Sequence, residues 1–133
     1  MKPPRVLRSV EAVRSFIRKL NDESSNGALV VVEGPRDARA LRALGFQGDL
    51  TTLSENGGMV RLAATAEQYR RTILLFDLDQ EGRSLTKKAA LLLEGKNCAI
   101  DLFFRRALVA ATKGGIRQVE ELGRFTEYVE RYP

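Results

Sequence analysis

Two short apolar runs, each followed at once by a carboxylate, constrain the fold of this 133-residue chain more than any other feature. The run Ala28–Val32 is followed by Glu33, and the run Thr72–Phe76 is followed by Asp77. Short runs that are rich in β-branched residues and apolar along their length are typical of strands covered on both faces. We therefore expect a parallel sheet with helices packed against both of its faces.

Strand and helix patterns alternate along the chain, which predicts right-handed crossovers between parallel strands. Two further strands are predicted, at Leu50–Leu53 and Asn97–Phe103. Amphipathic spacing predicts helices at about 9–20, 35–44, 59–71, 80–94 and 116–132. We therefore predict an α/β fold in a single domain, residues 1–133, with a four-stranded parallel, Rossmann-like sheet and additional helices at both ends.

The absence of histidine restricts the chemistry that this chain can perform. Histidine-based acid–base catalysis and histidine-containing zinc sites are excluded, and the single cysteine, Cys98, excludes cysteine-rich zinc sites. Any bound metal must therefore be held mainly by oxygen atoms, which favours magnesium, manganese or calcium.

The sequence predicts neither membrane insertion nor secretion. It contains no run of about 18 uninterrupted apolar residues, and its basic N-terminus leads into an amphipathic segment rather than the apolar core of a signal peptide. A single cysteine cannot form an internal disulfide, which fits a reducing compartment. We expect a cytoplasmic protein that has no contact with a membrane.

Positive charge is concentrated on either side of an acidic centre, within a net charge of +5. Residues 1–26 contain six Lys and Arg against three Asp and Glu, and residues 83–106 contain six against two. Residues 27–82 contain six against eight. This distribution suits a cation site beside a phosphate-binding surface, and the alternative is an ordinary solvated basic surface.

Three carboxylates are expected at one edge of the sheet, because ligands bind at the carboxyl ends of parallel strands. Glu33 follows the first strand, and Asp77 and Asp79 follow the third. Such a cluster repels itself unless a cation or a proton is shared, and Mg²⁺ suits an oxygen site that is open to phosphate. The simpler alternative is that an acid at a strand end caps the next helix, as Asp79 is placed to do before Gln80.

Other residues are candidates for contacts with phosphate groups. A helix N-terminus preceded by glycines presents backbone N–H groups, and basic residues four apart on a helix share a face. The candidates are Arg36, Asn56, Gly57, Gly58, Arg83 and Lys87, with Arg105 and Arg106 as weaker ones. The alternatives are an ordinary turn at the glycines and a solvated surface at the basic residues.

Two stretches together carry a resemblance to a known family. The stretch Val31–Asp37 (VVEGPRD), followed some forty residues later by Leu75–Arg83 (LFDLDQEGR), resembles the paired motifs of the Toprim domain. The resemblance covers a core of about 28–104 and is greatest to the small stand-alone archaeal Toprim proteins. The chain is also similar to the Toprim domains of the 5S rRNA maturation nuclease and of bacterial-type primases.

The resemblance implies a site for Mg²⁺ or Mn²⁺ that acts on phosphodiester bonds. Glu33 would be the general acid or base or a metal ligand, and Asp77 and Asp79 would be metal ligands, so that all three are expected to be catalytic. Arg83 stands where many relatives carry another acid, which leaves the number of metal ions open.

Two functions follow as expectations. The first is a metal-dependent nuclease that acts on RNA or DNA, with a protein partner supplying substrate recognition. The alternative is a non-catalytic nucleic-acid-binding or scaffold module in a repair, replication or RNA-processing complex, so enzymatic activity stays open. A primase or topoisomerase is disfavoured, because no zinc domain is present and the tyrosines lie in ordinary helical patterns.

Overall fold

A four-stranded parallel sheet forms the centre of the fold, as the sequence predicts. The computed structural model describes residues 5–55, 57–112 and 116–126. The strands are β1 (Ala28–Val32), β2 (Leu50–Thr52), β3 (Arg71–Leu74) and β4 (Ile100–Asp101). They lie in the order β2-β1-β3-β4, and each neighbouring pair is parallel.

Helices cover both faces of this sheet, which confirms the predicted α/β class. They are α1 (Arg5–Ser25), α2 (Pro35–Ala43), α3 (Met59–Ala66), α4 (Gln80–Gly95), α5 (Phe103–Thr112) and a 3-10 helix (Val119–Phe125). One apolar core contains side chains of α1, α2, α5 and the 3-10 helix, and the other contains side chains of α3 and α4. None of the helices in the described ranges is both long and apolar enough to cross a membrane.

The two cores divide the side chains of β1 and β3 between them. Val30 and Ile73 face the core of α1 and α2, whereas Val31 and Leu74 face the core of α3 and α4. All four are fully buried, and each buried aliphatic side chain of this size stabilises the fold by about 1.5–3 kcal/mol. This double burial explains why β1 is apolar at every position and why Ile73 and Leu74 of β3 are apolar, whereas β3 begins at exposed Arg71.

The strand order places a topological switch point between β1 and β3. The chain leaves β1 through α2 towards β2 at one edge, and it leaves β3 through α4 towards β4 at the other edge. Connections that diverge in this way open a crevice at the carboxyl ends of the two strands, which is where open parallel sheets bind ligands. Glu33 and Asp77 lie at the two sides of this crevice.

The predicted fourth strand, Asn97–Phe103, is wrong in extent, and a helix that follows it was not predicted. Only Ile100–Asp101 pairs with β3, and α5 begins at Phe103. The Oδ1 atom of Asp101 accepts hydrogen bonds from the N–H groups of Phe103 at 2.8 Å and Phe104 at 3.3 Å. This cap turns the chain into a helix immediately after the strand, within an apolar segment whose composition resembles a strand.

Three other helices differ from their predicted ranges. α1 extends on both sides of 9–20, and α3 ends at Ala66 instead of Arg71. α3 stops early because Arg70 donates its N–H to the carbonyl of Gly27 at 2.9 Å, which already places it beside β1. At the C-terminus a 3-10 helix begins at Val119 rather than an α-helix at 116, and residues 127–133 of the predicted helix lie outside the described residues.

The Asp101 cap yields a first prediction. Asp101→Ala should lower the free energy of unfolding by about 1 kcal/mol, because two N–H groups at the start of α5 lose their acceptor. Asp101→Asn should retain most of that stability, since its amide oxygen can still accept and the ion pair with partly exposed Arg71, at 3.8 Å, contributes little. Urea unfolding of the three proteins measures the difference. Equal losses in both variants would show that charge, rather than capping, is what Asp101 contributes.

Candidate metal and nucleic-acid site

The side chain of Glu33 joins the ends of β1 and β3. Between the two strands, Leu75 donates its N–H to the carbonyl of Val31 at 2.9 Å. Two residues further on, Asp77 donates its N–H not to a backbone carbonyl but to Oε1 of Glu33, at 3.0 Å. The carboxylate thus adds one more rung to the ladder. Its position is therefore determined by the sheet itself.

Asp77 carries a carboxyl group whose ionisation is unusually difficult. Partial burial raises its pKa to about 7, and the negative charges of Asp37, Glu33 and Asp79 act in the same direction. The N–H of Val119 donates to Oδ1 of Asp77 at 2.8 Å and opposes this rise. The carboxyl group therefore holds a proton up to about neutral pH.

Glu33 is affected by the same environment. Burial raises the pKa of its carboxyl group, while the backbone N–H of Asp77 lowers it. Nearby Asp37 raises it further, and a hydrogen bond between the side chains of Glu33 and Asp77 lowers it. The ionisation of each carboxyl group therefore depends on the other, as expected for neighbouring acids that repel each other when both are charged.

Asp79 caps α4, as the simpler interpretation of its position predicts. Its Oδ1 atom accepts a hydrogen bond from the N–H of Gly82 at 2.7 Å. Its Oδ2 atom accepts no hydrogen bond from the residues that the structure describes. One carboxylate oxygen therefore stabilises the helix, while the other remains available near Asp77.

Gly82 allows α4 to begin directly behind Asp77. A Cβ atom at this position would overlap the carbonyl oxygen of Asp77 and approach its Cα within 3.0 Å. Gly82 is itself buried in the first turn of the helix. The glycine of this motif is therefore required by close packing against the backbone of Asp77.

Asp37 is a buried acid that sequence analysis did not include among the candidate site residues. It is only 7% exposed, and its two oxygens accept hydrogen bonds from Gly34 at 3.1 Å and Glu120 at 2.9 Å. Burial raises the pKa of this carboxyl group, and both N–H groups oppose that rise. Asp37 thereby fastens the start of α2 to the 3-10 helix. The available sequence signal was its place in the VVEGPRD stretch, where it matches an acidic position often found in the first Toprim motif.

Arg105 supports the other side of Asp77. Its guanidinium donates to the carbonyl of Phe76 through Nε at 3.3 Å and to that of Asp77 through Nη2 at 2.6 Å. Burial lowers the pKa of Arg105, and the positive charge of Arg83 lowers it further. The doublet Arg105-Arg106 was only a weak candidate in the sequence, because nothing in it indicates that Arg105 returns to the end of β3.

The predicted phosphate-binding residues fall in three places. Arg36 lines the same cleft, of about 540 Å³, as Glu33 and Asp77. Gly57 and Gly58 form a positive-φ turn before α3, where Gly58 donates its N–H to the carbonyl of Leu53 at 2.9 Å. The cleft is lined from this loop by Ser54 rather than by either glycine.

Two of the remaining candidates lie away from this cleft, and a third is outside the described residues. Arg83 and Lys87 line a separate groove with Arg105 and Arg106. Asn56 lies outside the described residues. The fold therefore brings Arg36 to the carboxylates and arranges Arg83 and Lys87 along an adjoining surface.

The atoms available as metal ligands at this edge of the sheet fit a hard divalent cation. All of them are oxygens, and the three acids that raise the pKa of Asp77 supply the excess negative charge that a cation would offset. Among the residues that the structure describes, no group of three or more His, Cys, Asp or Glu side chains forms a ready-made metal site. Mg²⁺ does not require one, because it is commonly bound by one or two carboxylates with water and substrate phosphates.

Comparison with known proteins places this architecture in a defined family. A model of the Toprim domain matches residues 28–107, and the chain belongs to the Toprim family. Membership indicates a metal-dependent function connected with nucleic acids.

Individual relatives are archaeal and small, as the sequence motifs predicted. A UPF0292 protein of Pyrococcus abyssi is 40% identical over 93 residues, which cover 70% of each chain. A UPF0292 protein of Thermococcus gammatolerans is 38% identical over 118 residues, 89% of this chain and 80% of the relative. A solved structure from Aquifex aeolicus matches with a TM-score of 0.69 and 30% identity, covering 80% of this chain and 94% of that one.

The close packing at Gly82 yields a second prediction. Gly82→Ala should lower the free energy of unfolding by about 2–4 kcal/mol, because the added methyl group must displace the backbone of Asp77. Gly95→Ala, on the same helix with no atom near its would-be Cβ, should be neutral or stabilising by up to about 1 kcal/mol. Chemical denaturation of both variants tests this. Similar effects at the two positions would refute a steric requirement at Gly82.

The carboxyl group of Asp77 yields a third prediction. The ordinary pKa of 3.8 in the unfolded chain rises to about 7 on folding, so the folded state binds more protons between these values. Stability should therefore fall as pH rises through this window. Asp77→Asn cannot ionise, yet its amide oxygen can still accept from Val119. The variant should therefore gain more stability over the wild type at pH 8 than at pH 5.

Thermal unfolding in the presence of a chelator measures this effect without bound metal. Asp22→Asn, which removes an exposed carboxylate on α1, serves as the matched control. Its difference from the wild type should be the same at both pH values. If Asp77→Asn behaved like this control, repulsion among the carboxylates would not limit stability.

Proposed function

We propose that this protein is a Mg²⁺-dependent enzyme that acts on phosphodiester bonds, as a Toprim-type nuclease of RNA or DNA. The observation that carries the proposal is the meeting of Glu33 and Asp77 at the ends of adjacent parallel strands. Asp79 follows two residues after Asp77, at the start of α4. A module that only bound nucleic acid would gain nothing from acids grouped where phosphates must approach.

Three carboxylates would hold Mg²⁺ or Mn²⁺, namely Glu33, Asp77 and Asp79. When bound, the ion supplies positive charge that stabilises the charge developing on the phosphate. Burial raises the pKa of Glu33, and a raised pKa makes a carboxyl group a better proton acceptor when it is ionised. Glu33 is therefore also the candidate general acid or base.

The surrounding residues would orient the substrate. Arg36 is exposed and borders the cleft, so it can contact a phosphate that reaches the carboxylates. Arg105 holds the backbone of Asp77 in place through two carbonyl groups. Arg83 and Lys87 extend positive charge away from the site, and Asn56, Gly57 and Gly58 remain proposed phosphate contacts. The proposed setting is the cytoplasm, in keeping with a lone, half-buried Cys98.

A protein partner is part of this proposal. The Toprim match spans residues 28–107, and the described residues outside it belong to α1, the end of α5 and the 3-10 helix, which pack on the sheet. These elements complete the core rather than forming a separate recognition surface. Selection of a particular RNA or DNA is therefore assigned to another protein.

A non-catalytic binding or scaffold module is the alternative, and one observation favours it. Glu33, Asp77 and Asp79 each already accept a hydrogen bond from a backbone N–H group. In this alternative the acids stabilise the strand ends and the start of α4, and nucleic acid binds only through the basic surface.

A cleavage panel with a matched variant tests the proposal. The wild type should cleave at least one of labelled single-stranded, duplex and hairpin RNA or DNA with Mg²⁺ or Mn²⁺, and none with a chelator. Asp79→Asn keeps an oxygen that can cap α4 but removes the charge, so it should lose about 100-fold or more of the activity. Asp101→Asn removes a carboxylate from the end of β4 and should leave the rate unchanged.

The outcomes separate the two functions. Cleavage that survives chelation, or equal cleavage by Asp79→Asn, would contradict a metal enzyme and indicate a contaminating nuclease. Binding of the same nucleic acids without cleavage in either metal would establish the scaffold alternative.

A further inference from the structure

A groove between α4 and α5 adjoins the carboxylate cleft without forming part of it. Its volume is about 380 Å³, and its walls carry four basic side chains. These are Arg83 and Lys87 from α4 and Arg105 and Arg106 from α5. Among the described residues that line it, Glu94 is the one acid. We refer to this surface as the α4–α5 groove.

None of the four basic side chains forms an ion pair in the described part of the protein, although the charges of Asp79, Glu33 and Asp77 partly offset that of Arg105. The ion pairs present there join Arg71 to Glu23 and to Asp101, so none involves the groove. Arg83 and Arg105 are close enough for the charge of one to disfavour the charge of the other. An anion between two guanidinium groups would remove this repulsion and accept several hydrogen bonds at once.

Arg105 connects the groove to the candidate active site. The guanidinium that lines the groove also donates to the carbonyl of Asp77 at 2.6 Å. A phosphate held by Arg83 and Arg105 would therefore lie beside the end of β3. A nucleic-acid strand bound along the groove would therefore lead towards the carboxylates of the candidate active site.

The apolar part of the groove is not explained by phosphate binding. Leu91 is 63% exposed on α4, and Leu102 contributes to the opposite wall. Phosphate and sugar contacts gain nothing from exposed leucine, whereas the face of a nucleobase does. In a duplex the base faces are stacked inside the helix, and only backbone and groove edges reach a protein surface.

We propose that the α4–α5 groove binds an unpaired nucleotide of single-stranded RNA or DNA, with its phosphate at Arg83 and Arg105 and its base against Leu91 and Leu102. The inference rests on the proposed function only where it treats the carboxylates beside the groove as an active site. The binding of a nucleotide in the groove does not depend on that function. The groove volume is near the lower end of pockets that take small ligands, about 300–1000 Å³, which is a suitable size for a single nucleotide.

Binding measured without catalysis tests the preference for an unpaired strand. Fluorescence anisotropy in a chelator compares a short labelled oligonucleotide with the blunt duplex of the same sequence, in separate RNA and DNA arms. The single strand should bind about tenfold more tightly than the duplex. The arm with the higher affinity identifies the sugar that the groove accepts. Equal or tighter binding of the duplex would overturn the proposal.

Two neighbouring lysines on α4 provide a matched pair for the charged wall. Lys87 lines the groove, whereas Lys88 is also exposed on the same helix but is not one of the residues that line it. Lys87→Gln should reduce the slope of log affinity against log salt by about 0.7, the loss of one phosphate contact with a single strand. Lys88→Gln should leave it unchanged. Equal salt slopes in the two variants would show that the nucleic acid does not bind along the groove and would overturn the proposal.

An apolar pair tests the base contact separately from charge. Leu91→Gln should weaken single-strand binding about fivefold and leave the salt slope unchanged. Val60→Gln alters an apolar residue on α3 that is even more exposed, at 87%, and should have no effect. Unchanged single-strand binding by Leu91→Gln would overturn the proposed contact between the base and the groove.

These results are independent of the cleavage panel. Single-strand binding that depends on Lys87 and Leu91, without cleavage, would keep the groove and reject the nuclease. Metal-dependent cleavage that is insensitive to both residues would keep the nuclease and reject the groove.

Discussion

The parallel pairing of β1 with β3 is the interaction on which the rest of the structure depends. These two strands form the centre of the sheet and are buried on both faces. Their carboxyl ends lie where the connections to β2 and β4 diverge. The last rung of this pairing is a side chain, because Glu33 rather than a carbonyl receives the N–H of Asp77. The same pairing that organises the core therefore determines how close the two acids stand.

Backbone N–H groups make this concentration of acid tolerable. Glu33, Asp37, Asp77 and Asp79 are each bound by at least one, and two of these donors, Val119 and Glu120, come from the 3-10 helix. Even so, burial and mutual repulsion hold the pKa of Asp77 at about 7. A cluster of this kind reduces stability, which is typical of a functional site. The 3-10 helix lies outside the Toprim match yet helps to form the site.

Local pattern predicted the strands and the acids but failed where a single contact overrode it. The end of β1 before Glu33 could be predicted because a carboxylate interrupts an apolar run, whereas β3 ends at Leu74, before the predicted Phe76. The start of α5 could not be predicted, since the segment around Phe103 is as apolar as a strand and only the Asp101 cap makes it helical. Asp79 shows another limit of the sequence, which presented helix capping and a role in the site as alternatives. In the structure one oxygen of Asp79 caps α4, and this leaves the other oxygen for the site.

The sequence by itself determined the α/β class, the family and the acids that follow two apolar runs, because these follow from short-range periodicity and ordered motifs. Tertiary structure alone decided which groups support those acids. The N–H of Val119 reaches Asp77 across 42 residues, and that of Glu120 reaches Asp37 across 83. Arg105 returns 28 residues to the carbonyl of Asp77. Contacts over such separations leave no periodic trace in a single sequence, because they depend on how the helices pack around the sheet.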